Sequence, residues 1–310
     1  MPDPVASLDV SWAEQWEDVR LWRVLRSLDP GFYVDVGAMD PSTDSVTRAF
    51  YDRGWSGLNV EANPFYVKRL IDDRPRDRVE GVAAGREHGN ATLHVVQSSS
   101  GEETGLTTLE TGVARRHAEE GSRVVDVEVD VVPLAELLEG SPAEDPDRFH
   151  FLKVDVEGHE AAVLAGADLK RFRPLVTLIE ARAPRRPVDT YAESEEILLD
   201  AGHLFAADDG LNRWYVRSED AGLIAVLAPE VNPLLDGRPR RWWEVAREHE
   251  LTARLDELDA ASRATSQEAV ALRDEVADLK ARLDAVYRSK TWRATAPIRA
   301  LGRATRRRPS

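Results

Sequence analysis

The sequence predicts an α/β protein with a Rossmann-like, mostly parallel sheet, helices on both faces, a late antiparallel hairpin and a C-terminal coiled-coil helix. Three observations predict it. Short apolar runs alternate with helical patterns from Phe32 to about Arg217. The first run, Phe32-Tyr-Val-Asp-Val36, enters a glycine turn at Gly37, and the second, ending Leu58-Asn-Val-Glu61, stops on a carboxylate. Beyond Glu244, apolar residues recur at alternating spacings of four and three.

Taken in order, residues 1 to 30 hold an amphipathic helical cap with Trp12, Trp16, Val19, Trp22 and Leu25, ended by Asp29-Pro-Gly31. Residues 31 to 240 form the α/β domain. Its strands are expected at Phe32–Val36, Ser56–Val60, Glu80–Ala84, Ala91–Val96, Phe151–Val156, Leu175–Glu180, His203–Ala207 and Arg213–Val216. Helices are expected near Ser42–Arg53, Pro64–Asp73, Pro133–Leu138, Glu160–Leu164 and Thr190–Ala201. Asp40-Pro41 has the form of an N-cap followed by proline at the first helical position. Residues 244 to 287 carry an a/d seam from Leu251 to Val286, weak at Ser262 and Thr265, that predicts a homo-oligomer through a coiled coil. Residues 288 to 310 form a basic tail with seven Arg, one Lys and no acid.

Composition narrows the function. The 310-residue chain has a net charge of −15 although its tail is cationic, so the body repels polynucleotides and a nucleic-acid partner is not expected. It has no cysteine, which excludes disulfides, thiolate metal sites and a Cys nucleophile. The N-terminus lacks a basic start and an apolar h-region, and no run approaches the roughly 18 apolar residues of a membrane span. These features predict a cytoplasmic protein, peripheral at the inner membrane face if the tail docks there.

In open α/β sheets the ligand sits beyond the carboxyl ends of the strands. Asp35 to Met39, Glu61, Asp155 to Glu157 and Glu180 all fall at such ends. The single glycine lacks the second and third glycines of a pyrophosphate loop, and the rim is acidic. Such a site suits a cationic ligand without phosphates. S-adenosylmethionine, with its sulfonium and ammonium, fits better than NAD or ATP. Asp35 either fixes the turn or meets the ammonium, Gly37 lets the backbone approach, and Glu61 accepts from the ribose hydroxyls.

Ordered blocks then resemble the FkbM-type methyltransferase family over about residues 32 to 217. They are Asp35-Val-Gly-Ala38, Ser45-Val-Thr-Arg-Ala-Phe-Tyr51, Gly54-Trp-Ser-Gly57 with Val60-Glu61 and Asn63-Pro64, and Leu152-Lys-Val-Asp-Val-Glu-Gly-His-Glu160. The last runs on through Val163-Leu-Ala-Gly166 to Arg173-Pro174 and Glu180. Met39 stands where the family usually has Asn, and Ala62 where Pro is common. The resemblance implies a class I fold, S-adenosylmethionine as cofactor, and cofactor contacts from Asp35, Gly37, Ala38, Met39, Glu61, Ala62 and Ala84.

Methyl transfer to an alcohol needs the hydroxyl proton removed as oxygen attacks carbon. Asp155, His159 and Glu180 are the catalytic candidates, with Asp155 and Glu180 also able to supply oxygen ligands to Mg²⁺. Glu160 suits the first turn of a helix, and Lys153 can pair with one of the acids. Asp209, Asn212 and Arg213 of the hairpin are candidates for an acceptor's hydroxyls, and the polar loop Gly101 to Thr108 stands where the family has a cofactor-side loop. The tail around Tyr287, Trp292 and Ile298 resembles a segment of bacterial glycan-assembly proteins. The expected acceptor is therefore a sugar hydroxyl of a cell-surface glycan. The alternatives are a polyketide or lipid hydroxyl, or a non-catalytic coiled-coil scaffold of the same fold.

Overall fold

A computed structural model describes residues 7–28, 30–98, 101, 103–182 and 191–288. The expectations for Trp292, Ile298 and the tail beyond Arg288 lie outside the described residues. The chain divides into two compact units, Met1–Trp242 and Trp243–Ser310.

The first unit begins with β1 (Val10–Ser11) and α1 (Glu17–Leu25). There follow β2 (Phe32–Val36), α2 (Arg48–Tyr51), β3 (Ser56–Val60), α3 (Pro64–Asp73), β4 (Arg78–Glu80), β5 (Ala83–Gly85) and β6 (Gly89–Gln97). The middle holds α4 (Thr111–Glu119), β7 (Arg123–Pro133), α5 (Leu134–Leu138), β8 (Phe149–Val154), α6 (Glu160–Ala165) and β9 (Val176–Glu180). It ends with α7 (Ala192–Asp200), β10 (His203–Asp208), β11 (Asn212–Arg217), α8 (Ile224–Leu227), α9 (Pro233–Asp236) and β12 (Arg240–Arg241), before α10 (Trp242–Arg288).

Seven strands form the main sheet in the order β10-β11-β9-β8-β2-β3-β4. All its pairings are parallel except those of β11, which runs antiparallel to both β9 and β10. Central strands are buried on both faces, so β2 and β8 read as continuous apolar runs rather than alternating ones. Val34, Val36, Leu152, Val154 and Ile179 pack on one face against α5, α6 and α7. Tyr33, Phe151, Leu178 and Trp214 pack on the other with Leu21, Leu25 and Phe50. Helix α1 therefore covers a sheet face within the first unit. Arg23 pairs with Asp236, and β1 pairs in parallel with β12, tying the N-terminal segment to residues far along the chain.

Three expectations are corrected. The strand expected at Glu80–Ala84 divides into β4 in the main sheet and β5 in a separate three-stranded sheet of order β5-β7-β6. Its strand β7 was not expected, although Val125-Asp-Val-Glu-Val-Asp-Val131 alternates with period two. Asp40 does not cap a helix at Ser42: its Oδ1 accepts from Ser42 and Thr43 N–H at 2.9 and 2.8 Å, closing a turn, and α2 starts only at Arg48. Among the described residues no helix is long and apolar enough to cross a membrane.

Candidate functional site

The carboxyl ends of β2, β3 and β8 meet at one glycine. Gly37 has φ +76°, and a Cβ there would stand 1.8 Å from the Asp155 carbonyl oxygen, so no side chain fits. Its N–H donates to Val60 O at 2.9 Å, and Asp155 N–H donates to Val36 O at 3.0 Å. The three strand ends are thus stitched together by their main chains. Lys153, on β8, completes the stitch: Nζ donates to Gly37 O at 3.1 Å and lies 3.2 Å from Asp35 and 3.4 Å from Asp155. The two carboxylates hold the buried ammonium firmly protonated against the opposing effect of burial.

Beyond this junction lies a cleft between the strand ends and the polar loop. Of the expected cofactor residues, Gly37, Met39, Glu61, Ala62 and Ala84 line it. Asp35 and Ala38 do not. Asp35 is 1% exposed beneath the turn, paired with Lys153 and accepting from Thr47 Oγ1 at 3.2 Å, which fits a role in fixing the turn rather than meeting a ligand. Glu61 Oε2 accepts from Met39 N–H at 2.8 Å and its Oε1 from Asn63 N–H at 2.7 Å. One carboxylate thereby holds both flanking loops, including Met39 at φ +51°. Burial raises the Glu61 pKa, and the two N–H donors oppose the rise. Asn63 in turn caps α3, accepting from Phe65 N–H at 3.0 Å ahead of Pro64. The polar loop supplies Thr104, Gly105, Thr107 and Thr108 to the opposite wall, and Thr108 Oγ1 donates to Glu157 O at 2.8 Å.

Asp155 and His159 also line the cleft. Glu180 does not, but one oxygen each of Asp155, Glu157 and Glu180 lie within 4.8 Å of one another at its edge. Glu157, not among the catalytic candidates of the sequence, is thus the third acid of this cluster. Its backbone is left-handed at φ +54°, and its Oε2 is buried without a hydrogen-bond partner. Burial, reinforced by Asp155 and Glu160, pushes its pKa to about 8. Burial and the charges of Asp155 and Glu157 push Glu180 to about 11. Glu160 accepts from Val156 and Gly158 N–H at 3.1 and 3.0 Å and so shapes the loop that presents these acids. His159, at the N-terminus of α6, has Nδ1 3.5 Å from Glu110.

The hairpin residues do not converge on the cleft. Asp209 closes its own turn, accepting from Leu211 and Asn212 N–H, and its second oxygen accepts from Trp214 Nε1 at 2.7 Å. Asn212 Nδ2 donates to Glu17 at 2.9 Å. Arg213 pairs with Glu195 and Asp208 and stacks on Tyr191 and Phe205. All three make bonds within the local architecture in this structure. Asn212 does face Glu180 across the β9–β11 register, which brings Glu17 towards the acidic edge.

The profile of the Methyltransferase FkbM domain matches residues 35–205. Among solved structures the chain is similar to a methyltransferase FkbM from Methylobacillus flagellatus, at 17% identity and TM-score 0.36 over 64% of this chain and 47% of that one. It spans about half the length of that relative. It is also similar to a TehB-like SAM-dependent methyltransferase from Corynebacterium glutamicum, at 10% identity and TM-score 0.33 over 66% of this chain and 89% of that one. A precorrin-6y C5,15-methyltransferase from Geobacter metallireducens shows 14% identity and TM-score 0.32 over 64% and 85%. No curated protein matches the chain. The profile match covers more than half of the sequence and falls on the strands that build the cleft: this chain belongs to the FkbM methyltransferase domain family.

Proposed function

We propose that the protein transfers a methyl group from S-adenosylmethionine to a hydroxyl, the acceptor being a sugar of a cell-surface glycan. The observation that carries this reading is the cleft at the carboxyl ends of β2, β3 and β8, with Glu61 on one wall and the acids Asp155, Glu157 and Glu180 at the opposite edge. When bound, the cofactor supplies an electrophilic methyl group on a positively charged sulfur. Gly37 admits it against the backbone, and Glu61 holds the ribose. Each Glu61 oxygen already accepts one N–H and keeps a free lone pair for a hydroxyl. Met39, Ala62 and Ala84 enclose the rest.

For the acceptor hydroxyl to take the methyl group, its proton would have to leave the oxygen. Asp155 is the candidate to take that proton, with His159 in the same cleft as the alternative. The acidic edge also fits a divalent cation, because its donors are all carboxylate oxygens and one of them is buried without a partner. Asp155, Glu157 and Glu180 would hold Mg²⁺, which would supply acidification of the acceptor hydroxyl.

Labelled S-adenosylmethionine incubated with crude glycan, lipid and small-molecule fractions tests the reading, with label expected in glycan. Label confined to lipid or polyketide would replace the acceptor class. Absence of cofactor binding by calorimetry to the folded protein would overturn the enzyme reading. Turnover indifferent to chelator would remove the cation and leave Asp155 or His159 acting alone.

A further inference from the structure

The second unit poses a different problem. Helix α10 runs 47 residues, about 70 Å at roughly 1.5 Å per residue. Along it Leu251, Leu255, Leu258, Leu272, Val276, Leu279, Leu283 and Val286 are 48–63% exposed. From Leu251 to Val286 every residue with a described side chain is exposed, except Ala269, which is half-buried. A helix this long with an unburied apolar seam needs a partner for that seam.

The flanking charges identify the partner. With Leu251, Leu258, Leu272 and Leu279 at d, and Leu255, Val276 and Leu283 at a, the g positions include Arg254, Glu268 and Glu275. The e positions five residues further on are Asp259, Arg273 and Lys280. In a parallel, in-register pair each g position faces the following e position of the second helix. The three charged pairs, Arg254–Asp259, Glu268–Arg273 and Glu275–Lys280, are all of opposite sign. The other two, Ala261–Ser266 and Arg282–Tyr287, bring no like charges together. Slipping the helices by one heptad leaves two opposite-charge pairs per dimer, Glu268–Lys280 and Glu275–Arg273, against six in register, and sets Arg282 against Lys280. In an antiparallel pair with full overlap, g faces g, which sets Glu268 against its own copy and Arg254 against Arg282. Ion pairs within the described helix use Arg247 with Glu250 and Arg282 with Asp278, and none uses the six residues of the three pairs.

We propose that α10 pairs with α10 of a second copy of this chain as a parallel, in-register, two-stranded coiled coil, so that the protein is a dimer. Ser262, Thr265 and Ala269 at the centre of the seam are too small to fill the wider core of three or four helices, and they pack closely in a pair. Register is written in the g and e charges and strength in the two leucine-rich ends.

The chain has no cysteine, so single introduced thiols report orientation cleanly. Leu258→Cys and Leu279→Cys, each made in the full-length protein, should each form a covalent dimer under mild oxidation, because a parallel pair places identical d positions together. Sedimentation equilibrium of the unmodified chain should give a dimer. Glu275→Lys should weaken association roughly 2- to 30-fold, two exposed pairs being lost per dimer. Lys280→Glu added to it should restore the affinity, a rescue that a merely damaged helix would not show. A monomer at all concentrations, a trimer or tetramer, or cross-links only when the two cysteine variants are mixed would each overturn the proposal. Normal circular dichroism in the variants separates these outcomes from misfolding.

Discussion

Glu61 and Glu180 end two strands of one sheet, and both are more than nine-tenths buried. Burial raises the pKa of each. The next influences then diverge. Around Glu61 they are N–H donors from Met39 and Asn63, which favour the carboxylate. Around Glu180 they are the charges of Asp155, Glu157 and Glu160, which disfavour it. One wall of the cleft is satisfied by the fold, whereas the other is left in need of a proton or a cation. A wall complete in itself is suited to receiving a ligand in a fixed pose, and an incomplete wall to chemistry.

Four experiments bear on this contrast, from the largest expected effect downwards. Asp155→Ala should lower kcat by about 10²- to 10⁴-fold, the usual value of a positioned base, while cofactor affinity stays within a few-fold. Equal loss of both would place Asp155 on the binding wall instead. Glu61→Ala should weaken cofactor binding by about 1.5–3 kcal/mol for each charge-assisted bond lost, and should also lower Tm because Met39 and Asn63 lose their acceptor. Unchanged affinity measured by calorimetry would remove its ribose role.

The third is a pH scan with chelator present. Glu157 has its folded pKa raised from 4.5 to about 8, so the stability it contributes is complete below pH 4.5 and is lost as pH rises through 8. Tm should fall by a few degrees between pH 5 and 9, and Glu157→Gln should flatten that fall. An unchanged slope in the variant would show that the acidic edge is not strained. The smallest effect is expected from Glu180→Gln under chelator, which replaces a protonated acid by its neutral isostere and should shift stability by no more than about 0.5 kcal/mol. A large loss would mean that Glu180 is ionised and held by a partner.

The satisfied wall was far more legible in the sequence than the unsatisfied one. Phe32–Val36, Gly37 and Glu61 carry local signals: a doubly buried strand, a turn only glycine can make, and a carboxylate at the right spacing. Asp155 and Glu180 were legible as strand-end acids, but which acids meet depends on β8 lying beside β9, a fact of strand order. Glu157 shows why motifs mislead at the residue level. It sat inside the recognised block, yet its orientation follows from a left-handed backbone that the sequence does not announce. The hairpin is ambiguous for another reason. Asp, Asn and Arg bind sugars, and the same side chains close turns and brace strands, as Asp209 and Arg213 do here. Asp40-Pro41 gave a helix start because an Asx turn and an N-cap use the same hydrogen bonds.

The contact between Gly37 and the Asp155 carbonyl has one further consequence. The main chain of the glycine turn and the main chain that carries Asp155 are in direct touch, with no room for a side chain between them. Such a contact cannot be tuned by small substitutions nearby, only broken. If Asp155 takes the acceptor's proton as proposed, variation in acceptor choice would have to come from outside this junction.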